Sequence, residues 1–417
     1  MTESKALHLE PGFSFGGPLD AQISKEAFPH GSDRYWMLEA LKESRRSIGI
    51  SNPNPAVGCV LVDAQGNEIS RGATQAFTGA HAERVAWNLV RDPKQLEGAT
   101  AYVTLEPCSH FGRQPPCVDL LCHSQIRRIV IARGDPNPLV NGQGIKKLKD
   151  LGKEVQIGVL SHEASAWNFP FLANQALKRP IVALKWAQTL DGQLADDTHT
   201  SKWISGPDSR SYTHWIRQRY DAILIGSSTW LNDRPELTVR DCPLPHPSQK
   251  WAQPLPIILD PKGEALRVDG ATQNALAQRM FRPGRSVLYV TTESALPSDP
   301  WVLNYPDVTV MTLEGKNLIP ELIAALQTEK LNQILGHPLQ SLMVEGGPKT
   351  LASFLKAGYS DLLHVFISPQ FSGGKKNRIH VERLLKDAIR FRLVSQFRLG
   401  EDSVMEMVSK DAFGAVF

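Results

Sequence analysis

Apolar positions along the chain recur with two periods, helical spacing in some windows and short unbroken or alternating runs in others, and the order of these windows lays out an alternation of strands and helices. The spacing predicts an amphipathic helix over Tyr35 to Arg46, a turn-rich stretch from Ser51 to Pro55, and a strand over Ala56 to Val62. A glycine turn near Gly66 makes that strand one arm of a hairpin. A helix then runs from His81 to Val90, a strand from Ala101 to Thr104, a helix from Cys117 to about Gln125, and a strand from Arg128 to Ala132. This order predicts a three-layer α/β/α domain, placed at residues 33–177.

A second unit, residues 178–417, opens after Arg179-Pro180 with an apolar strand over Ile181 to Leu184. Further strands are expected at Ala222 to Ile225, Leu255 to Leu259, Ser286 to Val290, Val308 to Met311, Ser341 to Glu345 and Leu362 to Ile367. Helices are expected at Asp208 to Arg219, Ile319 to Lys330 and Thr350 to Ala357, giving a second α/β domain with a largely parallel sheet. The proline-bearing stretch Asp241 to Gln253 reads as a surface loop or insertion. Residues 1–32 show no periodicity and read as a flexible N-terminal extension.

Composition narrows the class of protein. A length of 417 residues allows two or three domains, and hydrophobic and charged fractions of 41% and 21% are those of a globular chain. A net charge of +3 with no basic block implies no general nucleic-acid affinity. No apolar run is long enough to span a bilayer and no charged-then-apolar leader opens the chain, so a cytoplasmic protein without a membrane partner is expected. Five cysteines do not describe a disulfide framework.

Chemistry concentrates in His81-Ala82-Glu83, Pro107-Cys108 and Cys117. Any one of these residues alone reads as a core histidine or an inert thiol, and Cys59, inside an apolar run, reads as an ordinary core cysteine. Together they supply one imidazole and two thiolates, the donors zinc prefers, and leave a fourth position open to water. No fourth protein ligand is evident, because Cys122 follows Cys117 on the same helix, so the site reads as catalytic rather than structural. Glu83 can face the open position without coordinating and carry a proton to a departing amine, as in the H-x-E…P-C-x-x-C pattern of zinc base deaminases. His81, in the first helical turn, meets a positive dipole end that disfavours its protonation. Eight residues rather than two separate Cys108 from Cys117, and the enlarged loop carries His110 and Arg113, which suit an anionic substrate group.

The stretch Val103 to Cys117 resembles the deaminase half of the bifunctional riboflavin-biosynthesis deaminase-reductase family, and Asn54 to Val60 and Asp135 to Pro138 fit the same family. Three clusters of the second unit resemble its reductase half: Lys185 to Gly192, Gly226 to Arg240, and Val344 to Thr350. The resemblance implies a cytidine-deaminase-like domain with one Zn2+, followed by a dihydrofolate-reductase-like domain that binds NADPH. It implies cofactor contacts at Ala187, Trp203, Thr229 and Asp233 and along Gly347, Pro348, Lys349, Thr350, Leu351, Ala352 and Ser353 up to Phe354. Substrate contacts are implied at Ser201, Arg217, Leu237, Arg240 and Glu345. By their chemistry, Arg217 and Arg240 would clamp a sugar phosphate, Glu345 hold ribose hydroxyls, and Lys185 serve as a candidate proton donor. Asn54 offers donor and acceptor to a pyrimidine edge. Two positions depart from the family pattern: Arg234 replaces the second acid of Asp-Asp-Pro, and His199 stands where glycine is usual.

The implied activity is hydrolytic deamination of a diaminopyrimidinone ribosylamine 5'-phosphate, then NADPH-dependent reduction of its ribosyl group to the ribityl form. The partner is this small molecule, and homo-oligomerisation follows from the resemblance alone. Two rivals remain at this point: a nucleic-acid deaminase, which would need a basic groove with aromatic platforms, and a deaminase whose second domain has lost catalysis and become a binding module.

Overall fold

The computed structural model describes residues 28–109, 111, 115–136, 142–196, 204–243, 250–374, 377–382 and 385–417. The chain divides into two compact units. One takes in the chain up to Ala176 with Pro243–Ala252 and Ala415–Phe417; the other takes Leu177–Cys242 and Gln253–Gly414. Of the N-terminal extension, residues 1–27 lie outside the described residues. Phe28 is buried, with the Arg34 guanidinium 4.5 Å above its ring.

In the first unit five strands form one sheet: β1 (Gly58–Val62), β2 (Glu68–Ala73), β3 (Thr100–Val103), β4 (Arg128–Ile131) and β5 (Glu154–Ile157). The order is β2-β1-β3-β4-β5; β1 runs antiparallel to β2 and β3, and β3, β4 and β5 are parallel. The helices are α1 (Asp33–Glu43), α2 (Ala82–Asn88), α3 (Cys117–Cys122), α4 (Gln143–Asp150), α5 (Ser161–Trp167) and α6 (Phe169–Leu177). A Cβ on Gly58 would lie 1.9 Å from the Ala40 carbonyl of α1, and one on Gly72 would lie 2.4 Å from the Ala86 amide of α2. Gly72 pairs with Cys59, the neighbour of Gly58, so the two glycines face opposite sides of the sheet. Helices α1 and α2 therefore cover opposite faces, which is the expected three-layer arrangement. Asp33, opening α1, accepts from both Arg128 guanidinium nitrogens at 2.6 and 2.7 Å and from the Tyr102 hydroxyl at 3.0 Å, pinning the helix to β3 and β4.

The second unit holds nine strands: β6 (Ile181–Thr189), β7 (Ala222–Gly226), β8 (Leu255–Leu259), β9 (Val287–Thr292), β10 (Val308–Leu313), β11 (Ser341–Val344), β12 (Leu362–Ser368), β13 (Phe391–Leu399) and β14 (Asp402–Ser409). Their order is β10-β9-β8-β7-β11-β6-β12-β14-β13. All pairs from β10 to β12 are parallel, and the antiparallel hairpin β13–β14 is added at the β12 edge. Helices α7 (Pro207–Arg217), α8 (Ser227–Asp233), α9 (Gly270–Met280), α10 (Leu318–Ala325), α11 (Glu329–Leu335) and α12 (Pro348–Ala357) connect the parallel strands. The single helix expected over Ile319 to Lys330 is two, because Thr328 takes an extended conformation (ψ 156°) and restarts the chain as the cap of α11. Leu184, Leu224, Ile257, Leu288 and Leu342 form a core with Leu322, Leu351 and Phe354 from the helices.

Candidate active sites

In the first unit β1 begins where β2 and β3 end. Thr74, after β2, donates its amide to Val57 at 3.0 Å, and Thr104, after β3, donates to Gly58 at 3.1 Å. The segments carrying Asn54, His81 and Cys108 therefore leave the sheet at one end. Asn54 itself is half-buried, its backbone N–H donated to the Ser51 carbonyl at 2.8 Å.

His81 caps α2 rather than lying in its first turn, with extended backbone at φ −74°, ψ 161°. Its Nδ1 lies 3.5 Å from Cys108 Sγ and 3.5 Å from Cys117 Sγ, and the three ligand atoms all fall within 4.8 Å of one another. Zinc–nitrogen and zinc–sulfur bonds of about 2.0 and 2.3 Å at tetrahedral angles require N···S edges of roughly 3.5 Å. Donor chemistry and spacing thus both fit a zinc ion. The helix α3 closes around the Cys108 loop, with the Cys117 amide donated to Cys108 Sγ at 3.3 Å and the Val118 amide to the Cys108 carbonyl at 3.1 Å.

The Cys117 thiol, hydrogen-bonded to Cys108, holds the Cys108 thiol well below its usual range, and the same bond raises Cys117. A divalent cation, which binds thiolates, would be held by both sulfurs in place of that shared proton. The expected depression of His81 is not found: its hydrogen bond with Cys108 raises its pKa and outweighs burial, which acts the other way. Glu83 is buried at 4% exposure, and burial, followed by the charge of Cys108, pushes its pKa up. That direction suits a carboxyl that takes up and gives back a proton. Glu106, which sequence reasoning missed, accepts the amides of Asp135 at 3.2 Å, Gly142 at 3.0 Å and Ile145 at 3.2 Å, so it ties the Cys108 loop to the start of α4. His110 and Arg113 lie outside the described residues.

In the second unit a cavity of about 700 Å3 opens at the carboxyl ends of β6, β7 and β11, where open parallel sheets usually bind ligands. Lys185, Ala187, Arg217, Thr229, Asp233, Leu237, Glu345 and the turn Gly347 to Thr350 line it, so the structure brings most of the reductase candidates together. Gly347 caps α12, with its amide donated to the Thr229 hydroxyl at 3.1 Å. Only this first turn faces the cavity. Leu351 and Ala352 are buried instead, Leu351 within the core, and Ser353 bonds back to the Lys349 carbonyl at 2.9 Å; helical rotation carries all three away from the groove. Ser201, Trp203 and His199 lie outside the described residues.

Glu345 receives two parallel hydrogen bonds from Arg217, Nε at 2.6 Å and Nη2 at 2.9 Å, while Arg217 Nη1 donates to the Thr238 carbonyl at 2.9 Å. Burial alone would raise the Glu345 carboxyl, but Arg217 and Lys185, 4.0 Å away, hold it at about 2. Lys185 is pushed below its usual value by burial, which outweighs the attraction of Glu345. His214, enclosed beside Arg217 and Arg240, is driven down to about 4 by burial and then by those two cations, and is neutral. Asn232 and Asn377 also line the cavity. Neither lies at a position that the sequence clusters singled out as a ligand.

A family model described as the cytidine and deoxycytidylate deaminase zinc-binding region matches residues 30–133, and one described as the RibD C-terminal domain matches residues 180–405. The riboflavin biosynthesis protein RibD of Aquifex aeolicus is 38% identical over 374 residues, 89% of this chain and 97% of its own. The chain belongs to the RibD family. The Escherichia coli RibD protein is 35% identical over 387 residues, covering 90% of this chain and 99% of its own. A solved Thermotoga maritima structure, titled a diaminohydroxyphosphoribosylaminopyrimidine deaminase/5-amino-6-(5-phosphoribosylamino)uracil reductase, superposes with a TM-score of 0.75 at 32% identity, over 91% of this chain and 99% of that one. This RibD chain is accordingly a bifunctional deaminase and reductase of riboflavin biosynthesis, with zinc and NADPH as its cofactors and a small pyrimidine phosphate as its substrate. The reading of a second domain that has lost catalysis is not favoured. No helix among the described residues is long and apolar enough to cross a membrane.

Proposed function

We propose that residues 33–177 deaminate 2,5-diamino-6-(ribosylamino)pyrimidin-4-one 5'-phosphate and that residues 178–417 then reduce its ribosyl side chain, giving 5-amino-6-(ribitylamino)uracil 5'-phosphate. The observation that carries the first assignment is the convergence of His81, Cys108 and Cys117 beside the buried Glu83. Zinc held by these three residues would supply Lewis acidity and make an attacking water more acidic. Glu83 takes a proton from the attacking water and returns it to the departing ammonia, a relay suited to a carboxyl whose pKa burial has raised. Asn54 reads the pyrimidine edge through its amide, and His110 and Arg113 meet the ribose phosphate.

In the second segment bound NADPH would supply the hydride that reduces the anomeric carbon of the open imine form of the substrate. Thr229, Asp233, Ala187 and the first turn of α12 bind the cofactor, with Trp203 completing the set. Glu345, kept ionised by Arg217, accepts from the sugar hydroxyls, while Leu237, Arg240 and Ser201 complete the substrate contacts. Lys185, whose ammonium is made the stronger acid as burial lowers its pKa, is the proton donor to the imine nitrogen.

Metal analysis paired with ammonia release tests the deaminase half. Wild-type protein is expected to hold one zinc per chain, and Cys117→Ser to lose both zinc and ammonia release. Full activity in a Cys117→Ser protein free of zinc would overturn the assignment. Reduction of the deaminated substrate by Lys185→Met at the wild-type rate would remove Lys185 from the chemistry.

A further inference from the structure

The chain that follows α8 lines one side of the cofactor groove through Pro235 and Leu237, and from Arg234 to Arg240 it belongs to no helix or strand. Arg234, Leu237 and Asp241 take left-handed backbone there, at φ 46°, 48° and 52°, where residues with a side chain persist only if their surroundings compel it. Leu237 and Val239 are nonetheless buried, so the carbonyls around them must find partners within the protein. Side chains from other elements supply these partners. Arg285 donates through Nη1 to the Glu236 carbonyl at 2.6 Å and through Nη2 to the Leu237 carbonyl at 2.7 Å. Arg217 Nη1 donates to the Thr238 carbonyl at 2.9 Å, and Gln253 grips Val239, accepting from its amide at 2.9 Å and donating to its carbonyl at 3.0 Å. Four consecutive carbonyls are thus held by three side chains, and one of the three, Arg217, is the residue that also holds Glu345.

Arg285 reaches this turn from a firm base between α9 and β9. Its own amide is donated to the Arg282 carbonyl at 3.0 Å, the neighbouring Gly284 amide to the Asp307 carboxylate at 2.9 Å, and the first amide of β9, that of Val287, to the Asp307 carbonyl at 2.9 Å. Its guanidinium goes to carbonyls rather than to a carboxylate, since the Glu236 side chain is taken by Arg282 at 3.0 Å. Burial, followed by repulsion from Arg282, pushes Arg285 down to about 10, which leaves it charged at neutral pH. A planar fork can span two successive carbonyls, and a lysine ammonium cannot.

We propose that Arg285 is a positioning residue of the reductase site. By clamping the Glu236 and Leu237 carbonyls it fixes the left-handed turn that presents the Thr238 carbonyl to Arg217, and Arg217, held there, aligns Glu345 with the sugar. Arg285 touches neither substrate nor cofactor in this role and acts only through that chain of contacts. The inference rests on the proposed placement of the reduction in this groove.

The test uses the full-length, zinc-loaded protein with Arg285→Met, which keeps the length and loses the donors, and Arg285→Lys, which keeps the charge and loses the fork. NADPH oxidation is followed with the deaminated substrate, for each variant alone and combined with Glu345→Gln, and hydrogen exchange is measured at the amides of Glu236 to Val239. Arg285→Met is expected to raise KM for the deaminated substrate roughly tenfold, the scale of one charge-assisted hydrogen bond, with kcat and the KM for NADPH little changed. Arg285→Lys should recover less than half of the loss, and exchange in the turn should quicken in both variants. In the Glu345→Gln background Arg285→Met should add little, because the two act through one chain of contacts. An unchanged KM, an equal rise in KM for NADPH, unaltered exchange, or the same tenfold effect with and without Glu345 would overturn the role. A Glu345→Gln protein that reduces at the wild-type rate would instead remove the placement of the reduction in this groove, and the amide exchange would still decide whether Arg285 holds the turn.

Discussion

Glu83 and Glu345 are both buried acids, and their surroundings push them in opposite directions. Burial and the neighbouring Cys108 raise Glu83, whereas Arg217 and Lys185 overcome burial and hold Glu345 at about 2. Glu83→Gln keeps the shape and removes the proton carrier, so ammonia release is expected to fall by about 10²–10⁴-fold, the usual share of a general acid–base group, while metal analysis still finds zinc. Glu345 makes a prediction about stability. Its folded pKa lies below its ordinary value of 4.5, so its contribution is complete above that value and is lost as pH falls through about 2. Urea unfolding should show Glu345→Gln destabilised near neutrality, because it leaves Arg217 buried without its partner, and the gap to wild type should shrink as the medium is acidified through that window. A gap that grows on acidification would contradict the assignment of Arg217 as the group holding Glu345 ionised.

At the scale of elements, the deaminase site depends on how closely α2 approaches β2, because α2 carries His81 at its cap and Glu83 in its first turn. A Cβ at position 72 would meet Ala86 N at 2.4 Å and Ala82 O at 2.5 Å, both backbone atoms. Gly72→Ala is therefore expected to cost roughly 1–3 kcal/mol, the range for overpacking, and to depress ammonia release more than NADPH oxidation; a thermal melt and the two assays check this. The strands that carry the sites were legible because their apolar runs end in chemistry-bearing residues, as Ser341 to Glu345 does. Strand β14 was not legible. Its inward positions alternate as a strand should, but two of them are acids: Asp402, which caps α7 through the Gly206 amide at 2.7 Å, and Glu406, which accepts from Tyr212 at 3.0 Å. Burying acids against specific donors inverts the polarity pattern and hides the strand. In the same way the ligands His81, Cys108 and Cys117 were legible as a spaced motif. Glu106 was not, since it acts only through amides that folding brings to it.

At the scale of the molecule, one chain holds two chemistries with separate requirements, a metal for one and a nicotinamide for the other. Removal of zinc by a chelator should stop ammonia release and leave intact the NADPH oxidation supported by pre-deaminated substrate. Loss of both activities would mean that the metal also sustains the reductase fold. The most direct test of the whole account is a coupled assay on the purified, zinc-loaded protein, given the diaminopyrimidinone ribosylamine phosphate with and without NADPH while ammonia and NADPH are followed together. The account predicts ammonia release that does not need NADPH, and NADPH oxidation that begins only as deaminated product accumulates. NADPH oxidation that precedes or proceeds without ammonia release would contradict it.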